Sequence, residues 1–280
     1  MVVVPRRRVP AGRPEPSSAG QSPEFFTGNR LSDHYWGFGP ALPLAYRALM
    51  DIVLIPGFWL DASSWSAVTP ALVAAGHRVH PLTLPGLESV TASRAGIGLQ
   101  DHIDAVVSVV DALGHPVVLV GHSGGAVIAY GTVDARPDLV TRALYVDSIP
   151  IADGESINDS LPAVGDDVPL PSWFEFDEAD LVDLTPALRA DFVARAIPEP
   201  KDVAADPVRL HDERRLNVPA TVIACEFSAS DVHEWIDAKE PYVAELAGLT
   251  RVDYVDLPTG HWPQFTKPAE LAAAILAAIA

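Results

Sequence analysis

Residues 116–125 read Pro116-Val117-Val118-Leu119-Val120-Gly121-His122-Ser123-Gly124-Gly125, and Ala126, Val127, Ile128 and Ala129 follow. The Val- and Leu-rich run 116–120 suits a strand buried on both faces. The small and apolar residues of 124–133 suit a helix that packs closely against it. Between the two lies Gly-x-Ser-x-Gly, a string that a chain with nineteen glycines can show by chance. Its position at a strand-to-helix turn gives it meaning. A turn this sharp forces Ser123 into a strained backbone conformation, and the residues two before and two after it must be small, hence Gly121 and Gly125. The helix N-terminus then aims its dipole and its free N–H groups at the serine hydroxyl.

The alternation of strand and helix extends outward in both directions. Upstream, 51–56 is an apolar run closed by Pro56-Gly57. Residues 65–76 carry helical spacing and end on Gly76, 78–84 reads as a strand closed by Pro85-Gly86, and 100–113 is an amphipathic helix stopped by Gly114. Downstream, 143–146, 220–224 and 251–257 read as strands and 269–280 as a closing helix. This order implies an α/β fold with a mostly parallel central sheet and helices on both faces. Residues 150–218 break the rhythm. They are rich in Asp, Pro and aromatic residues, with amphipathic helix spacing over 178–196, and a stretch of this length between strands reads as an inserted lid. The expected organisation is therefore a core of 49–149 and 219–280 interrupted by a lid of 150–218.

Residues 1–48 differ in character. They hold six arginines against three acids and are punctuated by Pro, Gly and Ser, so they read as a disordered leader. The run Arg6-Arg7-Arg8 is not followed by the apolar stretch of an export signal, which favours the cytoplasm. The 280-residue chain carries a net charge of −18, which argues against nucleic acid as a partner. No apolar run reaches the ~18 residues of a membrane span. The lone cysteine, Cys225, rules out an internal disulfide, and no histidine lies at metal-ligand spacing from carboxylates or cysteines. Neither a metal nor another cofactor is expected. Self-association into a homo-oligomer is left open.

With Gly121-His122-Ser123-Gly124-Gly125 in this setting, residues 50–280 resemble the α/β-hydrolase superfamily, whose nucleophile sits on such an elbow. The resemblance implies that Ser123 is the nucleophile. It also implies that His261, in Pro258-Thr259-Gly260-His261-Trp262-Pro263 after the last strand, is the general base. A serine hydroxyl needs such a base, with a pKa near neutrality, to remove its proton. The turn Ile55-Pro56-Gly57-Phe58 is similar to the family's oxyanion loop, although the family usually has His-Gly where this chain has Pro56-Gly57. The resemblance implies that the backbone N–H of Phe58 pairs with that of Gly124 to hold the oxyanion, with Trp59 as the alternative to Phe58. Backbone donors do not depend on the side chain at position 56.

A third group must accept the Nδ1 proton of His261 and fix its tautomer. Three candidates lie between Ser123 and His261. Asp147 ends the strand at 143–146, where zearalenone-lactonase-like relatives carry their acid. Glu226 and Asp231 follow the strand at 220–224, where most of the superfamily places it. The aromatic residues Phe58, Trp59, Trp173, Phe174, Phe176, Phe192 and Trp262 suggest an apolar pocket for a medium-sized hydrophobic ester or lactone. The stretch 55–65 also resembles small-molecule methyl-ester hydrolases and hydroxynitrile lyases. Esterase or lactonase chemistry on a small molecule is the reading favoured. Lyase or carbon–carbon hydrolase chemistry, and a hydrolase-like receptor with little turnover, are the alternatives.

Overall fold

The computed structural model describes residues 49–280, so the leader expected over 1–48 lies outside the described residues. Six strands form one sheet: β1 (Asp51–Ile55), β2 (Arg78–Pro81), β3 (Val117–His122), β4 (Val140–Val146), and two that follow a long excursion. The excursion holds a two-residue antiparallel pair, β5 (Asp167–Val168) with β6 (Glu199–Pro200). Then come β7 (Ala220–Ala224) and β8 (Val252–Asp256). The order in the sheet is β2-β1-β3-β4-β7-β8, and every neighbour pair is parallel. In such a sheet the crevice beyond the carboxyl ends of the central strands is where side chains from successive loops converge.

Helices cover both faces, as the alternation of strand residues between two apolar clusters shows. Val53, Ile55, Val117, Leu119, Ala143 and Tyr145 point to one side. Ile52, Leu54, Val118, Val120, Leu144 and Val146 point to the other. The first side meets α2 (Leu99–Leu113), α3 (Gly124–Ala135) and much of the excursion. The second meets α1 (Thr69–Ala74) through Leu72, and the C-terminal helix through Leu271 and Ile275. Burying each larger side chain stabilises the fold by about 1.5–3 kcal/mol relative to exposure. Helix α3 lies very close to α2, because a Cβ on Gly131 would come within 2.5 Å of Ile103 Cδ1.

Several elements differ from their expected spans. The helix read over 65–76 is split into a 3-10 turn, Ala62–Trp65, and α1, which starts at Thr69. Pro70 lacks an N–H and restricts Thr69, so the helix can begin there but cannot run through. Strand β2 stops at Pro81, because its partner β1 ends at Ile55. The helical pattern over 178–196 yields only α4 (Pro186–Arg195), capped by the Thr185 hydroxyl, and the residues before it form turns. After α4 the excursion adds α5 (Lys201–Ala205). Helices α6 (Ala229–Asp237) and α7 (Ala244–Gly248) follow β7, and α8 (Pro263–Thr266) and α9 (Pro268–Ala278) follow β8. No helix among the described residues is long and apolar enough to cross a membrane.

Candidate active site

Strand β3 delivers Ser123 at its carboxyl end. Its backbone sits at φ 52° and ψ −124°, a conformation that side chains with a Cβ rarely adopt. The flanking glycines are sterically required. A Cβ on Gly121 would come within 2.7 Å of Ala126 N, and one on Gly125 within 2.7 Å of Ile55 O. Both obstacles are backbone, which cannot swing aside as a flexible side chain can. Ser123 N–H donates to Val146 O at 3.1 Å, so the turn is also pinned to β4.

His261 arrives from the loop between β8 and α8. Its Nε2 lies 2.8 Å from Ser123 Oγ, and its Nδ1 lies 2.7 Å from Asp147 Oδ2. Asp147 follows β4 directly and also has a positive φ, 48°. Its other oxygen, Oδ1, accepts the backbone N–H groups of Cys225 and Glu226, both at 3.0 Å. The carboxylate is fully buried, and burial pushes its pKa up, while these two amides pull it back down. Three donors aimed at one buried carboxyl make it the natural seat of a negative charge.

The other two acid candidates part ways. Asp231 is engaged elsewhere: it forms a capping box with Ser228 at the start of α6, its Oδ2 accepting from Ser228 N at 2.8 Å and from Ser228 Oγ at 2.7 Å. This corrects its candidacy. Glu226 does approach the imidazole, with Oε2 at 4.0 Å from His261 Nδ1, beyond hydrogen-bond reach. Burial and the neighbouring charge of Asp147 push its carboxyl pKa up. Asp147, Glu226 and His261 are thus a grouping that sequence spacing kept apart, with candidate ligand atoms within 4.8 Å of one another. A cation there would have to displace the His261–Asp147 hydrogen bond.

Opposite Ser123 stands the turn after β1. A Cβ on Gly57 would come within 3.0 Å of Ser123 Cβ, and the Phe58 ring lies against Gly124. Among the described residues no acceptor takes the N–H of Phe58 or of Gly124. Trp59 is different, and the structure corrects it as an alternative donor: its N–H donates to Glu199 Oε2 at 3.2 Å. Trp59 is held on two more sides, its O accepting from Ile197 N at 3.0 Å and its Nε1 donating to Val168 O at 3.1 Å. These bonds hold it at φ 65°, an outlier for so bulky a residue.

Two further groups escaped sequence reading. Glu199 is fully buried, and desolvation raises its carboxyl pKa to about 8. It contacts the turn from more than a hundred residues away, and nothing in its local sequence marks it. His122 precedes Ser123 in the turn. Its Nε2 meets His261 O at 2.6 Å, and Gln264 Nε2 lies 3.2 Å from its Nδ1, so the ring braces the loop that carries His261. Desolvation pushes its pKa down to about 3, so it stays neutral.

The cleft above Ser123 is lined by Phe58, Trp59, His122, Ile157, Asn158, Leu161, His261 and Trp262. It encloses about 360 Å³ of empty space including its open mouth. Not all the expected aromatic residues line it. Trp173, Phe176 and Phe192 instead pack edge-on against Trp262, with ring centroids 5.7, 5.4 and 5.2 Å away, and Phe174 is 99% exposed. Edge-to-face packing of this kind buries the rings against one another and leaves less surface for a ligand.

Residues 52–274 match the model of the alpha/beta hydrolase family. The chain belongs to that family. Among characterised relatives, (E)-2-((N-methylformamido)methylene)succinate hydrolase of Acinetobacter baylyi is 32% identical over 124 residues, 43% of this chain and 43% of that one. The carbendazim hydrolyzing esterase of a Nocardioides species is 29% identical over 116 residues, 41% of this chain and 48% of that one. The chain spans under half the length of each of these relatives. Of the solved structures, a methylesterase from Arabidopsis superposes with a TM-score of 0.64 at 19% identity, covering 82% of this chain and 99% of that one. At such identity the likeness concerns the fold. This alpha/beta hydrolase thus has esterase-named relatives, and its cleft lies where that fold gathers its loops.

Proposed function

We propose that the protein is a serine hydrolase that cleaves a hydrophobic small-molecule ester or lactone through an acyl-enzyme, with Ser123, His261 and Asp147 as its triad. The observation that carries this reading is the unbroken relay Ser123 Oγ–His261 Nε2–Asp147, with contacts of 2.8 and 2.7 Å. Asp147 accepts the Nδ1 proton and thereby leaves the Nε2 lone pair facing the hydroxyl. His261 takes the proton of Ser123 as Oγ attacks the carbonyl carbon. The oxyanion that forms is met by the N–H groups of Phe58 and Gly124. Collapse expels the alcohol, which receives the proton from His261; in a lactone it stays attached to the acyl chain. Water, deprotonated by the same imidazole, then attacks the acyl-enzyme and frees Ser123.

The cleft walls favour a neutral, apolar substrate. Phe58, Trp59, Ile157, Leu161 and Trp262 are apolar, and among the described residues no Lys, Arg, Asp or Glu lines the space. Ile157, Asn158 and Leu161 come from the excursion between β4 and β7, which supports its reading as a lid. The buried free thiol of Cys225 fits a reducing, cytoplasmic setting. The test is hydrolysis of a panel of aryl esters and lactones by the purified chain, with Ser123→Ala alongside. Turnover is expected in the native protein and at least a thousandfold less in the variant. A variant as active as the native protein would refute the nucleophile. A folded native protein that turns over none of the panel would favour lyase or receptor behaviour instead.

A further inference from the structure

Among the described residues, the polar ones lining the cleft are His122, Ser123, Asn158 and His261. Ser123 and His261 face each other at 2.8 Å. Both ring nitrogens of His122 are engaged, Nε2 with His261 O at 2.6 Å and Nδ1 with Gln264 Nε2 at 3.2 Å. Asn158 is different. Its Oδ1 accepts two hydrogen bonds, from Ser160 N at 3.0 Å and from Ser160 Oγ at 2.6 Å. A backbone N–H can only donate, so the oxygen of the carboxamide must be the atom that faces Ser160. The NH2 group is thereby turned away from Ser160. Among the described residues no acceptor takes a hydrogen from Asn158 Nδ2. That nitrogen is not sealed in the interior either, since Asn158 is half-buried on the cleft wall.

The main chain fixes where this donor stands. Gly154 N–H donates to Val208 O at 2.9 Å, Val208 N–H to Glu155 O at 2.8 Å, and Asn158 N–H to Ala204 O at 2.9 Å. Ser156 forms an antiparallel bridge with Pro207. Residues 154–158 are thus laced to 204–208, and the side chain of Ile157 between them is buried. Backbone bonding and the two bonds from Ser160 hold the carboxamide in one orientation before any ligand arrives. A preorganised donor of this kind loses little entropy on binding, which lets a single hydrogen bond discriminate between ligands.

An exposed amide N–H is hydrated until a ligand covers it. An alkyl chain laid over it strips that hydration and returns no hydrogen bond, whereas a carbonyl or ether oxygen replaces what is lost. We propose that Asn158 is a specificity-determining residue, and that the substrate is an apolar ester or lactone carrying a second, neutral hydrogen-bond acceptor that meets the Asn158 NH2. A ketone, an ether or a second ester carbonyl belongs to this class. A carboxylate does not. Among the described residues no Lys or Arg lines the cleft, so an anion would exchange its whole hydration for one amide donor. The inference rests on the hydrolase reading above and narrows its substrate. Because the second acceptor takes no part in bond breaking, its hydrogen bond holds substrate and transition state alike, and it acts on KM rather than on kcat.

The test uses linear esters in which a ketone is moved one carbon at a time along the acyl chain, and in a second series along the alcohol. Each series begins beyond the carbons next to the scissile group, where a ketone would alter its reactivity. Hydrolysis is followed by proton release with native protein, Asn158→Asp and Asn158→Leu. Asp keeps the oxygen to which Ser160 donates and replaces the NH2 by a second oxygen. Leu keeps the volume with neither charge nor donor. The readout is the ratio of kcat/KM for each ketone ester to that for its hydrocarbon parent, in which a general loss of activity cancels. In the native protein the ratio should reach about tenfold at one position or two adjacent ones, carried by KM, the worth of one hydrogen bond. It should fall to about one in Asn158→Leu and below one in Asn158→Asp, where two acceptors face each other. If Leu does not fold, Asp decides. A native series with no ratio above about twofold would overturn the proposal, and so would a native preference that persists in a folded variant.

Binding supplies a second arm that needs no turnover. The same pairs are made with the ester oxygen replaced by CH2, and their Kd for the native protein is measured by titration calorimetry. The member with the favoured second ketone should bind about tenfold more tightly than its parent. A binding preference without hydrolysis of any ester would defeat the triad reading and leave the role of Asn158 standing. Hydrolysis without preference in either arm would defeat this proposal and leave the triad reading standing.

Discussion

Replacing Asp147 by Asn exchanges one carboxylate oxygen for an NH2 group in a fully enclosed site, and the geometry dictates how the new side chain must lie. Oδ1 of Asp147 accepts two backbone N–H groups at 3.0 Å, and Oδ2 faces His261 Nδ1 at 2.7 Å. Asn has a single acceptor oxygen. Turned toward His261, it would press its NH2 against two N–H donors and abandon two buried hydrogen bonds, each worth about 0.5–1.5 kcal/mol net and more when left unsatisfied. The oxygen therefore stays on the amides of Cys225 and Glu226, and the NH2 faces the imidazole. Nδ1 must then accept, the ring proton moves to Nε2, and His261 can no longer take the proton of Ser123. The expected loss in kcat is about ten-thousandfold, the size seen when a serine hydrolase is forced into the wrong tautomer. That corresponds to about 5.5 kcal/mol of transition-state stabilisation. Folding should change little, because shape and amide bonds are kept while a buried charge is removed. The assay is steady-state hydrolysis of an aryl ester, with the melting temperature measured in parallel. A folded Asp147→Asn enzyme within tenfold of native kcat/KM would refute the reasoning and transfer the role to Glu226.

Two other perturbations test the surroundings of this centre. Glu199→Ala removes the acceptor of Trp59 N–H beside the proposed oxyanion donors. Kinetics should show kcat/KM lowered about tenfold, the worth of one buried hydrogen bond, with Glu199→Gln restoring most of it. At the far end of the sheet, Asp51 is buried against Arg78, His80 and His115. The hydrogen bond from Arg78, foremost, holds its carboxyl well below the usual range. Stability from this cluster is present above the unfolded aspartate pKa of about 3.9 and is lost as pH falls below it. Acid unfolding monitored by circular dichroism should therefore be less steep below pH 4 in Asp51→Asn than in the native protein.

Much of this was written in local sequence. The strand-to-helix turn at Ser123 was legible because its demands are local: a buried strand, two small flanking residues and a helix of small side chains, all within a dozen positions. The sheet was legible for the same reason, since Gly and Pro punctuate each alternation of strand and helix. Pro70 and Pro186 moved helix starts inward, an effect of local backbone chemistry that apolar periodicity alone overrode. The acid partner could not be read in this way. Asp147, Glu226 and Asp231 are equally acidic in a string of letters. Which of them faces His261 depends on where β4 and β7 end relative to a loop more than a hundred residues from Asp147. The tertiary structure alone directs the amides of Cys225 and Glu226 onto Asp147, turns Asp231 into a helix cap, and buries the Glu226 side chain beyond hydrogen-bond reach of His261. It alone brings Glu199 under Trp59 and His122 beneath the His261 loop. Sequence specifies what each short segment can do by itself. The desolvation and donor count that decide where a charge resides belong to the packed interior, and they exist only once distant segments have met.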